Sequence, residues 1–482
     1  MGKSINGSNE SRDLANRLSP MDALFVYVES DAAPMHIGVV GIYRGRVPLE
    51  RYRRHLHERL HLIPRYRQRI VDAPLHLAHP AWEDDPDFDI RQHVHGVQME
   101  GPGTEAQLRR LSEKIFSKRL SLAKPPWEQH LIWGLSGNRT AILTCLHHAL
   151  ADGLSSVAIL QAMHDDVEGA PPWKPAPPRP QPASRGFKRF TEALADDLAL
   201  PGKLLQGMRE DVERILPGLD AGHVMETLGE AAAVLWRYTS TSRQLPFDTT
   251  RLSGKKRFAW CDYPLEELKQ TAHEYGGTVN DAVLTIVSGA VRRYLRIKAG
   301  DADAPSLHIS IPVNVRRPAH TNSLGNQISV QPVAIPLSIA STRERFAAIA
   351  RQTRALKQAH VADGLHFFTQ ALLAVPAPLQ YGLGKLYGHP AGATLIAGAT
   401  SLATLNTICT NVAGPTCPMY TLGRECVAIH PMAPVIGGMG LLFPCVSYHG
   451  RLYLSAVADR SAVPDMQRLK QCIDRAHAEL RS

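Results

Sequence analysis

The stretch Leu143-Thr144-Cys145-Leu146-His147-His148-Ala149-Leu150-Ala151-Asp152-Gly153-Leu154-Ser155-Ser156 decides how the chain is read. An apolar, strand-like run over residues 141–146 stops at two histidines, and an acid and a glycine follow. From 154 to 163 the pattern turns helical, with Leu154, Val157, Ala158 and Leu160 on one face. His148 therefore falls where a strand ends and a loop begins, so that the core can hold it rigidly while it still reaches a ligand. Adjacent residues of a strand point to opposite faces, which disfavours joint ligation of one metal by His147 and His148. An imidazole of unperturbed pKa about 6.5 suits proton transfer near neutrality. Asp152 could orient that imidazole, or pair elsewhere and lock the loop. Gly153 permits a backbone angle that a branched residue could not take. The plainer alternative is a buried histidine pair followed by a turn; the whole string after a strand favours a working site.

Working outward, 482 residues suggest two or three domains. The hydrophobic content of 44% and charged content of 21% are those of an ordinary globular chain with ample core. The net charge of +9 is spread out, without a Lys/Arg block, and aromatics make up only 6%, which argues against nucleic acid. A basic surface also suits anionic headgroups or a phosphate-rich co-substrate. Seven cysteines, an odd number with no CxxC pair, read as reduced, buried thiols of a cytoplasmic protein. Residues 1–17 are polar, without the apolar core of a signal peptide. Residues 386–423 lack Asp, Glu, Lys and Arg, but Pro390, Gly392, Gly398, Gly414 and Pro415 interrupt them. They read as a buried helix followed by a core strand, with a membrane span as the rival.

The rest of the chain alternates strands and helices irregularly. Ser19 and Pro20 form a helix entry, and residues 34–43 a strand. Residues 49–62 and 105–120 read as helices, and 129–135 and 139–146 as a hairpin that delivers His148. Prolines crowd residues 171–182, a stiff linker, and 187–238 is helical in pattern, bracing the domains or lying on a membrane. Later come helices at 265–275, 279–297, 341–359 and 465–481 and strands at 255–263, 307–315, 404–412, 426–431, 440–448 and 452–458. The class is mixed α/β, in three segments: 1–166 with the histidine motif, 167–252 with the linker and bracing helices, and 253–482.

Several short pieces, in this order, resemble the bacterial wax ester synthase/diacylglycerol acyltransferase family: LSPMD (18–22), PMHIG (34–38), DDPDFDIRQHV (84–94), PPWE (125–128), HHALADG (147–153), VNDAVL (279–284), PVNVR (312–316), GNQ (325–327) and NVAGP (411–415). HHxxxDG alone is shared with chloramphenicol acetyltransferase and peptide-synthetase condensation domains; the flanking pieces are more specific. PPWE stands where the family often has PLWE, and AGP where it often has PGP. The resemblance implies two chloramphenicol-acetyltransferase-like domains with an active-site channel between them. It implies His148 as general base and Asp152 as the holder of the loop, for which Arg316 is the candidate partner. His147 and His36 read as structural, with lining the site as the alternative, and Trp127 as shaping the core or channel wall rather than touching substrate.

The implied reaction is acyl transfer from acyl-CoA to the hydroxyl of a diacylglycerol or a long-chain alcohol, giving triacylglycerol or wax ester. Asn280, near a helix N-terminus, is a candidate oxyanion donor, with helix capping as the plainer role for it and for Asp281. No metal and no cofactor beyond the acyl-CoA co-substrate is implied, and there is no GxSxG for a serine esterase. The expected surroundings are the cytoplasmic face of the inner membrane or a lipid inclusion, held peripherally. Two other classes remain open, an amide-forming condensation enzyme of the same superfamily and a non-catalytic lipid-binding relative.

Overall fold

The computed structural model describes residues 16–151, 153–169, 244–299, 306–314, 328–358, 375–389, 391–392, 394 and 405–482. The proline-rich linker, the expected helices of 187–238, Asp152 and Arg316 lie outside the described residues.

The first half runs α1 (Pro20–Val28), β1 (His36–Arg44), α2 (Leu49–Arg59), β2 (Gln68–Val71), β3 (Ala81–Asp84), β4 (Val94–Gln98), α3 (Glu105–Phe116), β5 (Trp127–Leu135), β6 (Arg139–His147) and α4 (Gly153–Ala162). Ser19 caps α1 as expected, its hydroxyl accepting the Asp22 N–H at 3.1 Å with Pro20 in the first turn. The single helix expected over 49–62 is shorter, because its last turn tightens into a 3-10 segment at Leu60–Leu62. The second half runs β7 (Lys256–Pro264), α5 (Leu265–Glu274), α6 (Val279–Ala299), β8 (Ser306–Asn314), β9 (Ile328–Pro336), α7 (Thr342–Gln358), α8 (Ala377–Gly388), β10 (Thr407–Val412), β11 (Tyr420–Thr421), β12 (Arg424–Met432), β13 (Leu441–Tyr448), β14 (Arg451–Asp459) and α9 (Met466–Arg481).

Among the described residues two six-stranded sheets result, in the orders β11-β12-β1-β6-β5-β4 and β7-β14-β13-β10-β8-β9, with β2-β3 as a small ribbon. The mixed α/β class and the two sheet-based halves are as expected. Strand β6 lies in the middle of its sheet with Thr140 to His147 all buried, which is why it reads as a nearly continuous apolar run.

The third expected segment, 253–482, does not stay in one sheet. Strands β11 and β12 cross over and join the first, where β12 pairs antiparallel with β1 in the register Gly38↔Met432 and Val40↔His430. The crossing is fastened from the second sheet. The Tyr448 hydroxyl accepts the Met419 N–H (2.9 Å) and donates to Cys426 O (2.7 Å), and the Trp260 and His430 rings stack 4.3 Å apart.

The end of α3 stitches the halves together from the other side. Glu113 accepts the Phe258 N–H at 3.0 Å and pairs with Arg257 at 2.8 Å, while Phe116 packs edge-on against Phe258. All seven cysteines are free, and six are buried as expected; Cys417 is exposed.

In the uncharged stretch 386–423 the expected strand is β10, while the expected buried helix falls largely on residues 390, 393 and 395–404, which lie outside the described residues; residues 391, 392 and 394 are helical, and Leu386, at the end of α8, is exposed. Among the described residues no helix is long and apolar enough to cross a membrane.

Candidate active site

Strand β6 carries His147 to its last position and releases His148 into the following turn. The two side chains part as alternation requires: His147 is fully buried and His148 half-buried. The His148 N–H donates to Met35 O at 2.8 Å, which extends the β1–β6 ladder one step beyond the pair His36↔His147. The imidazole lies flat on the ring of Phe25, with centroids 4.1 Å apart and planes 8° from parallel. A strand end fixes the backbone and a helix of a different layer fixes the ring.

Helix α1 supplies a second clamp at its C-terminus. Glu29, buried, accepts the Met35 N–H at 3.0 Å and pairs with Arg119 at 2.9 Å. The Met35 peptide is thus held by Glu29 on its N–H side and holds His148 on its carbonyl side. From the second half, the Lys256 ammonium donates to Ala32 O at 2.9 Å and pins the turn between α1 and β1.

His147 belongs to this frame and not to the open site. Its Nδ1 accepts the Ala149 N–H at 3.1 Å, which leaves the ring proton on Nε2, 3.8 Å from the Glu29 carboxylate. Burial pushes this imidazole down to about 3, and the neighbouring His148 and Arg119 push the same way, so it is neutral at pH 7. His36 is buried too, bonded through Nε2 to Phe116 O at 2.9 Å and held down to about 4 by burial.

Trp127 and Asp281 are held inside the fold as well. Trp127 is fully buried, stacked between Tyr66 (4.4 Å) and His93 (4.6 Å), and donates its indole N–H to Tyr66 O. It shapes the core rather than a channel wall, because no face of the ring is left for a ligand. Asp281 is buried and caps α6, accepting the Thr278 N–H and hydroxyl at 2.8 Å each and the Thr353 hydroxyl at 2.7 Å. This is the capping arrangement, with both carboxylate oxygens engaged as acceptors. Asn280 stands half-buried beside it in the same first turn. Gly153, the last residue of the motif, opens α4. Asp152 and Arg316, the expected loop lock, lie outside the described residues.

Phe25, Glu29, Met35 and Arg119 were not singled out in the sequence, although Phe25 and Glu29 lie next to the LSPMD piece and Met35 lies within PMHIG. A signal existed for Glu29: an acid stands at the C-terminal cap of the helix, where the helix dipole favours a cation. A pocket bounded by Val28, Ser30 and Ala33 and, across the seam, by Leu252, Tyr387 and Ile436 opens beside the same turn; His148 is not among its walls. Among the described residues no three His, Cys, Asp or Glu side chains come together as a metal site would need.

The description "Wax ester synthase/diacylglycerol acyltransferase catalytic domain" matches residues 18–283, and the C-terminal domain of the same family matches residues 324–481. The chain belongs to this family. A Mycobacterium tuberculosis H37Rv protein, provisionally named diacylglycerol O-acyltransferase Rv3087, is 30% identical over 477 residues, covering 96% of each chain. A second from that organism, tgs1, bears the same kind of provisional name and is 26% identical over 476 residues, again 96% of each. Among solved structures, the wax ester synthase/diacylglycerol acyltransferase of Marinobacter aquaeolei VT8 superposes with a TM-score of 0.66 at 21% identity, covering 96% of this chain and 98% of that one. The first condensation domain of the calcium-dependent antibiotic synthetase follows with a TM-score of 0.59 at 12% identity, covering 97% of each. At such identities these two likenesses speak for the fold, two chloramphenicol-acetyltransferase-like halves. Family membership makes the protein an acyltransferase of the wax ester synthase/diacylglycerol acyltransferase type.

Proposed function

We propose that the protein transfers a fatty acyl group from acyl-CoA to the hydroxyl of a diacylglycerol, and also to long-chain alcohols, with His148 as the general base. The observation that carries the reading is the contrast within the histidine pair: His148 is half-open and clamped by Phe25, while His147 is buried, neutral and turned into the frame. An alcohol is a poor nucleophile at pH 7. His148 takes its proton as the oxygen attacks the thioester carbonyl, the C–S bond breaks as the tetrahedral intermediate collapses, and the imidazolium returns the proton to the departing CoA thiolate. Such catalysis contributes roughly 10²–10⁴-fold. Neither a covalent acyl-enzyme nor a cofactor beyond the co-substrate enters this scheme. In this reading Asp152 holds the loop, with Arg316 as its candidate partner, and Asn280 is the candidate oxyanion donor. The diacylglycerol-type names of the mycobacterial relatives support that acceptor. A lipid acceptor also calls for a peripheral place on a membrane or lipid inclusion.

The test is radiolabelled palmitoyl-CoA with dioleoylglycerol, hexadecanol or a long-chain amine, separated by thin-layer chromatography. Product is expected with the two hydroxyl acceptors, and His148→Ala should lose at least ~10²-fold in turnover while remaining folded. Near-normal turnover in a folded His148→Ala protein, or product from the amine alone, would overturn the reading.

A further inference from the structure

Seven large apolar side chains stand exposed among the described residues, and four of them gather at one place. Leu379, Leu383 and Leu386 are 52%, 49% and 41% exposed, and their spacing of four and three residues puts them on one face of α8. The opposite face is packed on α1 as closely as backbones allow. A Cβ at Gly384 would stand 2.5 Å from Tyr27 Cβ and one at Gly388 2.9 Å from Val28 O, and Gln380 donates to Pro20 O at 2.8 Å. The helix is therefore a fixed part of the fold whose outer stripe has no partner in this chain among the described residues.

Leu75 lies on the turn beside it. Its neighbour His76 stacks on Tyr381 of α8 at 3.7 Å, and Leu75 itself is 82% exposed. Its φ of 55° is in the left-handed region, where Asn or Gly would sit more easily than a leucine. A residue that strains the turn and packs on almost nothing is there for something outside the chain.

The surrounding composition says what that is. Between Asp363 and Arg424 the chain carries one charged side chain, Lys385, and it is on this helix. A partner protein recognised through paired charges would find no acid on this helix and a single one, Asp72, on the neighbouring turn. An apolar layer bordered by anionic headgroups matches both the leucines and the lysine.

We infer that the outer face of α8, with the Leu75 turn, is where the protein lies on a lipid surface, the leucines at the headgroup–acyl boundary and Lys385 among anionic headgroups. This rests on the reading of the acceptor as a lipid and adds where the lipid phase meets the fold. It places that phase one helix away from the base, because α1 has α8 on one side and sends Phe25 onto His148.

The experiment is flotation of the full chain with vesicles of phosphatidylcholine containing about one-third phosphatidylglycerol. Leu379→Ser/Leu383→Ser should bind at least about tenfold more weakly than the wild type. Leu75→Asn should also bind more weakly, while melting at the same or a higher temperature because the turn is relieved. Both variants should keep acyl transfer to a short, water-soluble alcohol and lose it to vesicle-borne diacylglycerol. Flotation of both variants at the wild-type level overturns the inference. So does a wild type that ignores vesicles but forms a dimer that Leu379→Ser/Leu383→Ser dissolves. Vesicle binding through these leucines without acyl transfer to any acceptor would leave this surface standing and reject the functional reading alone.

Discussion

The ring of Phe25 lies parallel to the imidazole of His148 at 4.1 Å, so a helix that precedes β1 sets the plane of a side chain delivered by β6. Phe25 acts through His148 and is a positioning residue. Phe25→Ala should lower kcat by roughly 10–10²-fold, since small misplacements of a reacting group cost about that much. KM for acyl-CoA should change little, and Phe25→Tyr should recover most of the rate. Steady-state kinetics on a soluble acceptor measures this, and an unchanged kcat in Phe25→Ala would show that the stack is incidental.

Glu29 ties Met35, Arg119 and the surroundings of His147 to the end of α1. Glu29→Gln keeps an oxygen for the Met35 N–H but removes the charge that faces Arg119, and should cost about 2 kcal/mol. Glu29→Ala should cost more, because a buried N–H then has no acceptor. Chemical denaturation of the three proteins decides the matter; equal midpoints would mean that the clamp contributes nothing.

Acid should unfold the protein early. Burial holds His36, His79, His164, His308 and His430 down to about 4 and His55 and His147 down to about 3, against an ordinary 6.5. Because the folded values are depressed, the unfolded chain binds more protons between them and 6.5, and stability is lost as pH falls through that window. Melting temperature should be level above pH 7 and drop steeply from about 6.5 downward. A Tm that holds steady from pH 7 to pH 5 would contradict the assignment of neutral, buried rings.

Arg59 and Asp165 form an ion pair with almost no exposure, and Asp165 also exchanges backbone bonds with Tyr420 at 2.8 Å each way. Burial raises the Asp165 carboxyl and lowers the Arg59 guanidinium, in each case against the partner's pull. Asp165→Ala should therefore cost about 3–5 kcal/mol by stranding a buried cation. Arg59→Met/Asp165→Leu should recover much of that. A double variant no more stable than the single would show that the backbone contact with Tyr420, and not the charges, matters here.

What could be read from sequence was what is local. The run into His148 gave the end of β6 because a central strand is apolar on both faces, and Ser19-Pro20 gave the start of α1 because capping chemistry is local. Helix α9 came within a residue of its bounds from its periodicity, Asp465 being its cap. Strand β12 was expected as a strand, but its partner was not foreseen. Nothing in residues 424–432 distinguishes pairing with β14 from pairing with β1, since register is settled by contacts hundreds of residues away. Trp127, read as core or channel wall, is fully buried, and Asp281, for which a helix cap was the plainer role, accepts at the first turn of α6. Phe25 stayed hidden, since a phenylalanine on an apolar helix reads as core.

The crossover also has a consequence in time. Until residue 432 has left the ribosome, β1 has β6 on one side and an open edge on the other, because the strand that covers that edge belongs to the last third of the chain. The sheet that carries the histidine pair is thus completed only long after β1 and β6 have emerged. During that interval a nascent chain shows an unpaired, largely apolar edge, an invitation to wrong pairing. A truncated first half would keep that edge for good. Yield of folded protein should accordingly depend on chaperone supply during translation far more than on stability once the chain is whole.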